Sequence, residues 1–191
     1  QTLTSPEARI SIPRFMRLGH AAINETGNPA LGLRMGALSR PVDAGIAGLA
    51  GETAGTAGAA LATLIRYALL TSRNSRGVPT VQPETRQAKF YSIRPYNGFN
   101  YFVVDSVLEK VTIEYRSIGQ DDLFESWFRC PVQFGASSNS LTVRQDIWES
   151  ASQQAQPAMH EKLSDLCERE LQQIRRGWTT GDRVKNLLTP L

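Results

Sequence analysis

Apolar residues recur every three to four positions in several stretches of this chain and every second position in others, which divides it into helical and strand-forming segments. Ile12, Phe15, Met16, Gly19 and Ile23 share one side of a helix predicted over 10–24, with Pro13 tolerated in the first turn and Gly27-Asn28-Pro29 closing it. Leu31 to Met35 is a short apolar piece around Arg34. Thr56 is placed to cap a core helix whose Leu61, Leu64, Ile65 and Ala68 form one stripe. Residues 71–83, with Arg73, Asn74, Ser75, Arg76, Gly77 and two prolines, read as an exposed loop. Phe90 to Ile93 reads as a strand, and Val111, Ile113 and Tyr115, alternating with Thr112, Glu114 and Arg116, as a half-buried one.

The stretch 121–143 holds the densest signal. Leu123, Phe124, Trp127 and Phe128 fall at helical spacing, and Pro131 ends the helix by removing an N–H and restricting Cys130. Val132–Phe134 and Leu141–Val143 read as short strands joined by a polar turn over 136–140, which predicts a hairpin. The clearest helix is 157–176: Leu163, Leu166, Cys167, Leu171 and Ile174 lie on one face, opposite Glu161, Asp165, Glu168 and Arg175. Such a stripe either closes a core or forms a dimer seam. A linker and the start of another helix, 182–188, follow.

Composition changes this picture little. With 191 residues and 41% hydrophobic content, the chain is long enough to bury one substantial core. Its net charge of +3 comes from 21 basic residues scattered among 18 acidic ones, without the clustered cations that phosphate contacts need. No apolar run reaches membrane-spanning length, and no secretory signal pattern stands at the start.

Candidate chemistry is sparse. There is no Gly-x-Ser-x-Gly elbow, and His20 and His160 stand apart from any second metal ligand at helical spacing. Cys130 and Cys167 sit in no paired spacing and are expected to be reduced thiols. Asp121-Asp122 fits a helix start. The glycines at 45, 48, 51, 55 and 58 match neither a P-loop nor a dinucleotide fingerprint, and close packing of small residues accounts for them. Tyr91 to Leu108 is the most aromatic segment; its Arg94-Pro95 and Asn97-Gly98 pairs mark turns between apolar runs, a composition shared by core strands and by walls of small-ligand pockets.

Three stretches carry a resemblance. Asn28-Pro29-Ala30-Leu31-Gly32-Leu33-Arg34-Met35-Gly36, Ala59-Ala60-Leu61-Ala62-Thr63-Leu64-Ile65-Arg66-Tyr67, and the aromatic helix running into Cys130-Pro131-Val132-Gln133-Phe134-Gly135-Ala136 resemble, in the same order, segments of the regulatory half of AraC/XylS-type bacterial transcriptional regulators. The resemblance implies a mixed α/β fold of the α+β kind: a helical N-terminal part, a small antiparallel or mixed sheet, and a long C-terminal helix. In the family a longer helix and turn separate the elements around Leu108 and Glu109, so either the protein is shortened there or residues are absent from this chain, and the Ile118-Gly119-Gln120 junction departs in the same way.

It further implies an effector-binding and dimerisation domain over 1–176, with 177–191 leading to a helix-turn-helix DNA-binding domain outside this chain. The expected partners are a small-molecule effector, a second copy, and DNA through that further domain, in the cytoplasm, with no membrane, metal or cofactor and no catalysis. Pocket candidates are Arg66, Tyr67, Tyr91, Arg94, Tyr96, Asn97, Phe102 and Trp127: an arginine pairs with a carboxylate and the rings shape a cavity. The competing readings are an enzyme on a small carboxylate or amine, and a haem-type gas sensor with His20 or His160 as axial ligand.

Overall fold

The pattern after Ser11 becomes helix α1 (Ile12–Thr26), which Gly27 closes in the left-handed conformation at φ 61°. The structure is a computed structural model and describes residues 11–28, 31–71, 78–90, 107–117 and 119–176. Helix α2 (Leu31–Leu38) takes up the apolar piece around Arg34, and a 3-10 turn over Pro41–Ala44 leads into α3 (Ile46–Glu52). Thr56 caps α4 (Ala57–Arg66) by accepting the Ala59 N–H at 3.1 Å, and α5 (Ala68–Thr71) follows. Then come β1 (Thr80–Gln82), β2 (Gln87–Phe90), β3 (Leu108–Ile113), α6 (Asp121–Phe128), β4 (Val132–Phe134), β5 (Asn139–Val143), α7 (Gln145–Trp148) and α8 (Pro157–Arg176). The expected class, helical first part, mixed sheet and long last helix, is the one observed.

The sheet runs β1-β2-β5-β3-β4, antiparallel except for the parallel β3–β4 pair. That pair is joined through α6, the crossover that parallel neighbours require. Val132–Phe134 and Leu141–Val143 are therefore not a hairpin. Both pair with β3, one on each edge, and the Gly135 turn (φ 66°) carries the chain over the end of β3 while its N–H binds Tyr115 O at 2.9 Å. Alternation fixes which face a strand buries, not which strand lies beside it. The expected loop over 71–83 also contains β1, which pairs with β2. The strand expected at 90–93 starts earlier, at Gln87; residues 91–93 lie outside the described ones. Leu108 opens β3 directly, with an irregular register between Leu108 and Lys110.

Two clusters form the interior. Leu108, Val111, Ile113, Tyr115, Leu141 and Val143 of the sheet region pack with Phe124 and Phe128 of α6 and with Leu33. Ala47 and Ala50 of α3, Tyr67, and Cys167 and Leu171 of α8 make the second. Leu166, expected on the buried stripe of α8, is 40% exposed. Cys167 and Leu171 are the fully buried residues of α8, and Leu163 packs half-buried against the same cluster.

Small residues set the approach of α3 and α4 to their neighbours. A Cβ at Gly48 would lie 1.6 Å from the Pro41 carbonyl oxygen, and one at Gly58 2.5 Å from Trp148 Cε2, whereas one at Gly55 would meet nothing within 4 Å. Close packing is thus the reason for Gly48 and Gly58 but not for Gly55, nor for Gly45, which instead holds a left-handed φ of 64°. Gly48→Ala is expected to cost more than about 3 kcal/mol, because the obstructing atom is backbone and cannot rotate away, while Gly55→Ala stays within about 0.5 kcal/mol of the parent. Urea unfolding midpoints of the two variants measure the difference.

Candidate functional site

Tyr115 stands just past the end of β3 with 3% of its surface exposed, and its ring begins an aromatic line. Its centroid is 5.7 Å from that of Phe134; Phe134 meets Phe124 edge to face at 5.3 Å, and Phe124 lies 6.5 Å from Phe128. These rings come from β4 and from the inner face of α6, whose apolar spacing the sequence predicts. Trp127, one of the pocket candidates, packs half-buried against the same cluster. Leu123 belongs by spacing to the same stripe but is 40% exposed.

Among the described residues the Tyr115 hydroxyl is buried without a hydrogen-bond partner, as is Gln120 Oε1 just before α6. An orphaned buried polar atom forfeits about 1–3 kcal/mol, so such atoms are kept where a ligand or water answers them. Burial pushes the Tyr115 phenol up to about 12. Further along the chain, Ser117, Gly119, Gln120, Asp121, Asp122 and Leu123 line an open depression of about 560 Å³. Ser117 Oγ bonds Asp121 Oδ1 and accepts the Gly119 N–H at 3.0 Å.

Arg66 and Tyr67 lie elsewhere, at the end of α4 against α8. Arg66 Nε donates to Glu168 Oε1 at 2.9 Å and Nη2 donates to the same oxygen; the guanidinium carbon is 5.6 Å from the Tyr67 ring centre. Tyr67 is 2% exposed and donates its hydroxyl to Ser164 O at 3.3 Å. Burial raises its phenol, and the Arg66 charge opposes that shift. The structure thus puts Tyr67 in the second cluster with the exposed Arg66 beside it, and packs Trp127 against the first. Tyr91, Arg94, Tyr96, Asn97 and Phe102 lie outside the described residues. Phe90 and Val107, which bracket them, both pack on the first cluster.

His160 Nδ1 is 2.7 Å from Ala50 O and ties α8 to α3. Burial raises both thiols, with Glu125 adding to Cys130 and Glu170 and Glu168 to Cys167, which keeps them as unreactive thiols. Among the described residues no group of three or more His, Cys, Asp or Glu is placed to hold a metal. Sequence reasoning missed Tyr115, since alternation marks it only as a buried strand residue; the missing hydroxyl partner is visible in three dimensions alone.

Residues 1–151 match the family described as the arabinose-binding domain of AraC transcription regulators, N-terminal. No curated protein matches the chain. Among solved structures, the transcriptional regulator CdpR from Pseudomonas aeruginosa aligns with a TM-score of 0.55 at 20% identity, covering 94% of this chain and 70% of that one, a likeness of fold.

The Tyr115 phenol has a pH signature. It is held at about 12 in the folded state against about 10 in the unfolded chain, so its contribution is fully present below pH ~10 and is lost as pH rises towards ~12, by on the order of 2–3 kcal/mol. Tyr115→Phe is expected to remove that part of the alkaline decline and to be as stable as the parent, or more so, at neutral pH. Urea unfolding of both proteins at pH 8, 10 and 11 reads the difference; identical declines would refute it.

Proposed function

This chain belongs to the family of N-terminal arabinose-binding domains of AraC transcription regulators, and from that premise we propose that it senses a small-molecule effector and passes its occupancy to a DNA-binding partner domain. One observation carries the placement of the site: the partnerless Tyr115 hydroxyl in the aromatic cluster of α6 and β4. Aromatic walls with a few polar groups are what small-molecule sites are made of. The stretch 91–106, which holds Tyr91, Arg94, Tyr96, Asn97 and Phe102, lies in the chain between Phe90 and Val107, which pack against that cluster as Trp127 does. In this reading those six residues and Tyr115 bind the effector, while Arg66 and Tyr67 respond to it from the α4–α8 junction.

The output follows from linkage. An effector shifts the presentation of a partner domain only by as much as it prefers one arrangement of this domain over another. A second copy and a helix-turn-helix domain are the partners of this reading, which places the regulator on cytoplasmic DNA. No helix among the described residues is long and apolar enough to cross a membrane. The sugar in the family's name does not select the effector, since pocket chemistry varies on one scaffold.

A thermal-shift screen of the domain against amino acids, polyamines, sugars, fatty acids and other metabolites tests the proposal. A true effector at 100 times its Kd stabilises the domain by about 2.7 kcal/mol. Arg94→Ala is expected to weaken a carboxylate effector by about tenfold or more without unfolding the domain, and Tyr115→Phe to reduce the shift as well. A folded domain that responds to nothing in a broad panel is instead a dimerising or protein-binding module.

A further inference from the structure

Helix α8 is the last described element, and it is held differently at its two ends. Its N-terminal end is fixed by backbone hydrogen bonds of the segment leading into it and by the His160 side chain. Ala151 bridges to Thr56, Ser152 N–H binds Gly55 O at 3.0 Å, Gln156 N–H binds Thr53 O at 3.0 Å, and His160 Nδ1 meets Ala50 O. Past Leu163, the ties are side chains: Cys167 and Leu171 packed beside Ala47 and Tyr67, the Tyr67 hydroxyl on Ser164 O, and Arg66 on Glu168. The helix packs on α3 and α5 and takes no part in the sheet cluster. A 20-residue helix that is polar on most of its surface is marginal by itself in water, so its order depends on this docking.

We infer that α8 is a hinged latch: its C-terminal half, beyond about Leu163, swings off α3 and α5 about the fixed 151–160 end while the sheet cluster stays folded, and the Arg66–Glu168 and Tyr67–Ser164 contacts set how often it opens. Helix α4 links this latch to the candidate site. Leu61 packs on the sheet cluster, and Arg66, little more than one turn further along the same helix, grips α8. A displacement of the cluster that moves α4 therefore moves the catch. Use of the opening as the regulatory output rests on the sensor reading; the opening itself does not.

Hydrogen exchange followed by mass spectrometry on the 191-residue chain, without effector, tests the latch separately from any effector screen. In the parent, amides of 163–176 are expected to exchange at least about tenfold faster than those of β3 and β5, as sub-global openings do. Arg66→Gln and Glu168→Gln are each expected to speed exchange in 163–176 by a further two- to fivefold, about what an exposed pair contributes. The double variant adds nothing beyond either single change, and β3 and β5 keep their parent rates. Exchange of α8 in step with the sheet, equal acceleration of both, or no change of α8 in either variant overturns the inference. A negative effector screen with this exchange pattern leaves the latch standing and removes only its proposed use.

Discussion

Val111 and Ile113 of β3 have no exposed surface, and the strand that carries them is paired on both edges. Burial of each such side chain contributes about 1.5–3 kcal/mol, available only if one face of β3 is covered while both rows of its backbone groups find partners. The rest of the sheet meets those two demands. β5 closes one edge and β4 the other. Because β4 runs parallel to β3, the chain has to cross back through a helix, and α6 does so with Phe124 and Phe128 turned onto the same apolar face. The other face keeps its polar side chains, where Thr112 Oγ1 and Ser140 Oγ lie 2.8 Å apart across the strands and Gln87 Nε2 donates to Ser140.

The second cluster is of another kind. Ala47 and Ala50 bring α3 close to α8 but offer little apolar area, so polar contacts take a larger share of the docking than they do in the sheet. The Arg66–Glu168 pair is largely solvent-exposed on the arginine side and so is weak by nature. A fold with one strongly buried cluster and one lightly held helix has graded stability, and movable elements come from its weaker end. Helix α4 touches both, through Leu61 at one cluster and Tyr67 just beyond its end at the other.

What could be read in the sequence follows the range of the interaction involved. Helices α1, α4, α6 and α8 are local objects, and periodicity, the Thr56 cap and the proline and glycine stops mark them to within a few residues. Strand pairing is not local. The polar turn over 136–140 looks the same whether the flanking strands pair with each other or reach across a third, so β4 and β5 read as a hairpin although β3 separates them. Leu123 and Leu166 fit apolar stripes, yet both sit on helix flanks that no neighbour covers. The pocket candidates divide for the same reason. Arg66 and Tyr67 share a motif with Leu61, but one helical turn separates the sheet cluster from α8, and the sequence does not say on which side of that turn a ligand sits.

The chemistry of the first cluster restricts what can occupy it. Phe124, Phe128, Phe134 and Trp127 offer ring faces and edges, and the Tyr115 hydroxyl is a buried donor with no partner among the described residues. A ligand set wholly against these rings satisfies that donor with one acceptor and presents apolar surface elsewhere, because each further buried polar group without a partner costs about 1–3 kcal/mol. A polyhydroxylated ligand carries several such groups, and in the proposed site Arg94, Asn97, Tyr91 and Tyr96 are the residues that answer them. The balance between those two sources of contact, one apolar with a lone donor and the other rich in polar groups, is therefore what decides between a mostly apolar effector and a sugar.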